Sequence, residues 1–155
     1  ARPAAPAREG IEWHRDSEVF EGMRDAVAAR GGASVFLACL GARRDFGGRE
    51  GFTSNLYHVG GIETVLAEGA TPEDFARQLA EAGAKVAVLC SSAKVYAGQG
   101  IAVAEALRAA GAEQVLVAGQ IAELGEGGEA AVDGNVFDGM NVVDLLTTTL
   151  EKLGA

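Results

Sequence analysis

The residues best placed to do chemistry lie in a glycine-rich stretch, Leu40-Gly41-Ala42-Arg43-Arg44-Asp45-Phe46-Gly47-Gly48-Arg49-Glu50-Gly51. It follows the first apolar, strand-like run, where many α/β proteins grip a cofactor. A histidine there would read as the ligand of a metal cofactor, because imidazole offers a neutral nitrogen lone pair. The stretch holds none. It reads as a scaffold that has lost its ligand. Arg43, Arg44 and Arg49 cluster around this turn and could bind an anion at a helix N-terminus. They could equally pair with carboxylates of a partner, and that reading is preferred.

Other candidates are weaker. Cys90-Ser91-Ser92-Ala93 follows the third apolar run. Its two hydroxyls could bond a nucleotide-like tail or satisfy loop backbone groups. Ala118-Gly119 after the fourth run allows close backbone approach. His14 falls in a leading extension, and His58, with no paired carboxylate at a recognisable spacing, reads as a surface or packing residue. Asp45-Phe46-Gly47 imitates a kinase motif, but the chain is far too short and has no matching lysine or catalytic loop. The glycines around Glu126 do not follow a first strand, so a dinucleotide fingerprint is excluded. A phospho-receiver would want an aspartate where Cys90 and Ser91 stand. No residue is assigned a catalytic role and none a metal.

Bulk properties narrow the function classes. With 48% apolar residues, 155 residues suffice for one domain with a real core. The net charge of −9 repels phosphate backbones, so nucleic acid is not an expected partner. No apolar run approaches the roughly 20 residues of a membrane span. The N-terminus has no secretory signal, and the absence of a first methionine points to a processed product or excised piece. Cys39 and Cys90 both end apolar runs and read as buried small hydrophobes rather than a disulfide framework, which favours a cytoplasmic location. A redox pair is the alternative if parallel strands bring them together.

These residues must be positioned by alternating strands and helices. Residues 1–10 read as a disordered tail, and 11–32 hold a leading linker helix from Asp16 to Arg30. A domain then occupies 33–155. Strands are expected at 34–40, 62–66, 85–90, 114–118 and 135–137. Helices are expected at 49–59, from Thr71-Pro72 to about 81, at 99–110 and at 142–153, with one weak helix within 119–132. Right-handed crossovers then give a flavodoxin-like, five-stranded parallel α/β sheet, order 2-1-3-4-5, with helices on both faces. The loops at its carboxyl edge are 41–48, 67–70, 91–98, 119–126 and 138–141, and the crevice lies between the first and third strands.

Two long segments carry a family resemblance: residues 35–52 and Leu89-Cys-Ser-Ser-Ala-Lys-Val-Tyr-Ala97. They resemble the small (beta) subunit of cobalamin-dependent methylmalonyl-coenzyme A mutase, in its C-terminal, cobalamin-binding-like domain. The resemblance spans roughly residues 11 to 153. Cobalamin-binding members of this fold carry Asp-x-His-x-x-Gly after strand one, Ser-x-Leu after strand three and Gly-Gly after strand four. Here Asp45 and Gly51 remain, one residue too far apart, and Gly47 takes the histidine position. Ser91 and Ser92 remain, but Ala93 replaces the leucine. The glycine pair is Ala118-Gly119.

The resemblance therefore implies a vestigial pocket marked by Asp45, Gly47, Ser91, Ser92 and Gly119, with no cofactor bound by this domain. It implies a non-catalytic support for the large subunit, which binds adenosylcobalamin and interconverts methylmalonyl- and succinyl-coenzyme A, in a heterodimer. The first alternative is a functional cobalamin-binding domain using a non-histidine-ligated mode. The second is an unrelated flavodoxin-like enzyme or regulator, against which stands the lack of a Ser/Thr-rich phosphate loop after strand one.

Overall fold

Three apolar runs become the buried centre of a sheet. A computed structural model describes residues 21, 22, 24, 25, 34–69, 71–137, 140 and 142–152. Strands β1 (Ser34–Cys39), β3 (Val86–Cys90) and β4 (Gln114–Ala118) are buried almost throughout. Continuous rather than alternating apolar sequence is what a parallel strand covered on both faces requires. β2 (Glu63–Glu68) and β5 (Gly134–Val136) flank them. All pairs are parallel and the order is β2-β1-β3-β4-β5, the expected flavodoxin-like arrangement.

Helices cover both faces. On one side lie α1 (Arg43–Val59) and α6 (Val142–Lys152). They enclose Leu37, Cys39, Phe46, Tyr57, Val88 and Leu146. On the other lie α2 (Pro72–Ala82) and a helical run made of α3 (Ala93–Val95), a π-helical segment Tyr96–Gly100 and α4 (Ile101–Ala109). That side encloses Phe36, Phe75, Leu89, Tyr96 and Leu107. A 3₁₀ turn (Ile121–Leu124) and the short α5 (Gly128–Ala131) complete it. α2 starts as its sequence dictates, with the Thr71 hydroxyl accepting from Asp74 N and the Asp74 carboxylate accepting from Thr71 N, both at 3.2 Å.

Two expectations need correction, and both concern the carboxyl edge. Residues 43–48 are not a loop, because α1 begins at Arg43 rather than at 49. The Asp45 carboxylate accepts from Ala42 N at 3.0 Å, and Asp45 N and Phe46 N both donate to Ala42 O. Phe46 is then fully buried. That anchoring outweighs the roughly 1 kcal/mol each helical glycine costs. Likewise, 91–98 is mostly helical from Ala93 onward, because Ser92 Oγ accepts from Val95 N. β2 and β5 are shifted by one to two residues from expectation.

Residues 21, 22, 24 and 25 of the leading helix are helical, and Arg24 lies against Gly61. The rest of that helix, the tail at 1–10 and His14 lie outside the described residues, as do 138, 139 and 141 of the last expected loop. No helix among the described residues is long and apolar enough to cross a membrane.

A Cβ added at Gly51 meets nothing within 4 Å, and the backbone there is helical. Gly51→Ala is therefore expected to stabilise the fold by about 0.5–1 kcal/mol, read as a raised urea midpoint.

Candidate functional site

The crevice that the chain's own side chains fill lies at the carboxyl ends of β3 and β4, one strand along from the expected place between β1 and β3. Arg49, two turns into α1, shares the inward stripe with Phe46, Thr53 and Tyr57. Its Nη1 lies 2.9 Å from Ser91 O, 3.2 Å from Ala118 O and 2.6 Å from Glu123 Oε1, while Nη2 reaches Glu123 Oε2 at 3.3 Å. Side-chain exposure is 35% for Arg49 and 18% for Glu123, so the pair is partly desolvated and its two-pronged geometry is the strong kind. The guanidinium also stands over the Tyr96 ring, 5.6 Å from its centroid.

Tyr96 closes the floor. Its hydroxyl accepts from Ser91 N at 2.9 Å and lies 2.7 Å from Ala118 O and 2.9 Å from Leu89 O, to either of which it donates. The π-helical segment that begins at Tyr96 sets this ring beneath the strand ends. Gly100 ends that segment, and a Cβ there would stand 2.5 Å from Leu124 Cδ2. The missing side chain lets Leu124 pack in, which brings the neighbouring Glu123 over the crevice.

The sequence-selected residues divide between this cluster and its surroundings. Ser91 is buried, and its hydroxyl donates to Leu40 O at 2.7 Å, tying the ends of β1 and β3 together. Gly119, at φ +121°, lies under the ion pair: a Cβ there would be 2.7 Å from Arg49 Nη1. Ser92 caps α3 and Asp45 caps α1. Gly47 is on α1 near Arg43. These last three therefore do not join Ser91 and Gly119 in one pocket. Arg49 leaves the expected basic cluster, since it points inward to Glu123. His58 is exposed in the last turn of α1, 3.4 Å from the Thr64 hydroxyl.

The roles of Arg49, Tyr96 and Glu123 were not read from the sequence. One signal existed. Spacings of three, four and four from Phe46 through Arg49 and Thr53 to Tyr57 put the arginine on a buried helix face, where a cation needs a partner. Glu123 lay hidden in an acidic, glycine-rich stretch that reads as surface.

Cys39 and Cys90 are in-register neighbours on β1 and β3, both free and fully buried. The neighbouring Cys39 thiol and burial push the Cys90 thiol well up. Burial does the same to the Tyr57 and Tyr96 phenols. An acid whose folded-state pKa is raised leaves stability intact below its unfolded value and removes it above. Stability is thus expected to fall as pH climbs past about 9, where unfolded thiols and then phenols ionise, by up to about 1.4 kcal/mol per pH unit per group. Chemical unfolding at pH 8, 9 and 10 checks this.

A shallow cleft of about 270 Å³ opens beside the ion pair, lined by Gly48, Phe52, Gly119, Val136 and Phe137 among others. No cluster of three or more His, Cys, Asp or Glu that could hold a metal occurs among the described residues. The donor set does not fit a histidine-ligated corrinoid: position 47 is a helical glycine, which offers no nitrogen donor, and its neighbour is the stem of Arg43.

No family model matches the chain. It is 53% identical over 158 aligned residues to the methylmalonyl-CoA mutase small subunit of Propionibacterium freudenreichii subsp. shermanii, covering 98% of this chain and 24% of that protein. It is 40% identical to the small subunit of Streptomyces virginiae, with the same coverage. A probable small subunit of Mycobacterium tuberculosis (strain ATCC 25618 / H37Rv) is 32% identical over 99% of this chain and 25% of its own length. The chain thus spans about a quarter of the length of the curated relatives it matches, and nearly its whole length is similar to that quarter of the methylmalonyl-CoA mutase small subunits.

Proposed function

We propose that the chain is the non-catalytic, C-terminal cobalamin-binding-like domain of a methylmalonyl-CoA mutase small subunit. It works in the cytoplasm, in a heterodimer, by supporting the large subunit that isomerises methylmalonyl-CoA and succinyl-CoA with adenosylcobalamin. The observation that supports this most is the Arg49 guanidinium in the crevice, held by Glu123, Ser91 O and Ala118 O. A ligand tail entering there would have to displace a partly desolvated ion pair and leave Ser91 O without its side-chain donor, a cost of about 1–3 kcal/mol. Among the described residues, no imidazole stands near the mouth to repay it.

The alternative, a cobalamin domain without histidine ligation, draws on the cleft beside Gly48 and Phe52. At about 270 Å³ the cleft is below the roughly 300–1,000 Å³ of ordinary small-molecule sites. Titrating the protein with cobalamin and following absorption separates the two. The proposal expects the spectrum of the free cofactor throughout. A protein-bound, base-off spectrum would overturn it.

A further inference from the structure

We infer that the carboxyl rim between β1 and β3 is the face by which this domain docks on an acidic surface of the large subunit. The inference rests on the proposed role and adds the surface that carries it out. The rim is formed where α1 and α3 start side by side. Leu40 N donates to Cys90 O, Ser91 Oγ donates to Leu40 O, and Gly41 lies against Val95. Gly41, Ala42, Arg43, Arg44, Ala93 and Lys94 are all exposed there.

Charge distinguishes this face from the rest. The chain carries a net charge of −9. Away from the rim, four cations are matched, Arg49 with Glu123, Arg77 with Asp74, Lys85 with Glu113 and Arg108 with Asp133, and Arg24, beside Gly61, stands alone rather than in a cluster. Among the described residues, Arg43, Arg44 and Lys94 have no carboxylate partner. Arg43 stands 5.7 Å over the Phe46 ring, which leaves its charge uncancelled. The carboxylate next to them, Asp45, is turned onto Ala42 N. The result is a local positive field on an acidic protein.

The chemistry of the face selects its occupant. Its residues are exposed, so a single small anion would stay in high dielectric and be screened by salt. A broad carboxylate-bearing protein surface gains from several such pairs at once and is steered to them during encounter. The small side chains of Gly41, Ala42 and Ala93 let another backbone come close. A second copy of this acidic chain fits less well, because its overall charge repels.

The test uses the complete small subunit with the large subunit. Arg43→Glu, Arg44→Glu and Lys94→Glu are combined, and association is followed at several salt concentrations, with Arg77→Glu as the control. The expected result is an association rate lower by on the order of tenfold or more, with the salt dependence flattened or reversed, while Arg77→Glu behaves as wild type. Unchanged association of the triple variant with an unchanged salt slope overturns the docking face but leaves the supporting role standing. Unchanged association together with a lower melting temperature of the small subunit alone also overturns it, and assigns the rim to a contact within the small subunit. Failure of the wild-type subunits to associate at all removes both this inference and the role it rests on.

Discussion

Gly119→Ala is expected to destabilise the domain by about 3 kcal/mol, although it adds a single methyl group. Two costs combine. Gly119 sits at φ +121°, where an L side chain is strained by about 1–3 kcal/mol. The added Cβ would also stand 2.7 Å from Arg49 Nη1 and 2.9 Å from Glu123 Oε2. Relief requires moving the arginine or its partner, which strains a partly desolvated, two-pronged ion pair. The backbone cannot slide away, because Gly119 N donates to Val136 O at 2.8 Å and Asn135 Nδ2 donates to Gly119 O at 2.7 Å. For a domain of this size the melting temperature should fall by roughly 10 °C. Adding Arg49→Ala should recover the part of the loss that comes from the clash and leave the part that comes from φ. If Gly119→Ala alone costs under about 0.5 kcal/mol, the close packing of the ion pair on this turn is wrong.

The fold was legible in the sequence because its signals are long and redundant. Val35–Cys39, Val86–Cys90 and Val115–Ala118 are apolar without alternation, which only a doubly covered parallel strand explains. Thr71-Pro72 opened a helix unambiguously. The site was less legible, for a physical reason. Glycine is a weak local signal: Gly47 and Gly48 suggested a loop, but Phe46 and Arg49 hold that segment as helix through contacts distant in sequence. The Arg49–Glu123 pair joins residues 74 apart, and the Tyr96 to Ala118 bond spans 22. Neither partner announces the other. The absence of a histidine from the glycine-rich stretch was visible at once, but the Arg49–Glu123–Tyr96 cluster was not. Ala118 shows the same limit. In the sequence it stands only as half of an altered glycine pair, yet its carbonyl joins the cluster, accepting from Arg49 and facing the Tyr96 hydroxyl.

Tyr96 should be the most sensitive polar side chain in the domain. Tyr96→Ala removes a fully buried ring from the α2–α4 side of the core, and such truncations cost about 3–5 kcal/mol. Tyr96→Phe keeps the ring and isolates the hydroxyl. It leaves Ser91 N without its acceptor and Ala118 O without one of its two donors, so the loss should be about 2 kcal/mol. The difference between the variants then reports packing, and the smaller value reports the polar cluster. Urea midpoints at constant m measure both. A cycle with Arg49→Ala adds the coupling of cation and ring, expected at about 0.5–1 kcal/mol because Arg49 remains partly exposed. If Tyr96→Phe costs nothing, water already satisfies Ser91 N and Ala118 O, and the crevice is wet rather than sealed. A wet crevice could be emptied cheaply, and the case against a bound cofactor tail would weaken with it. If the loss is found, the strand ends are locked by groups the chain supplies itself, as the proposed supporting role requires.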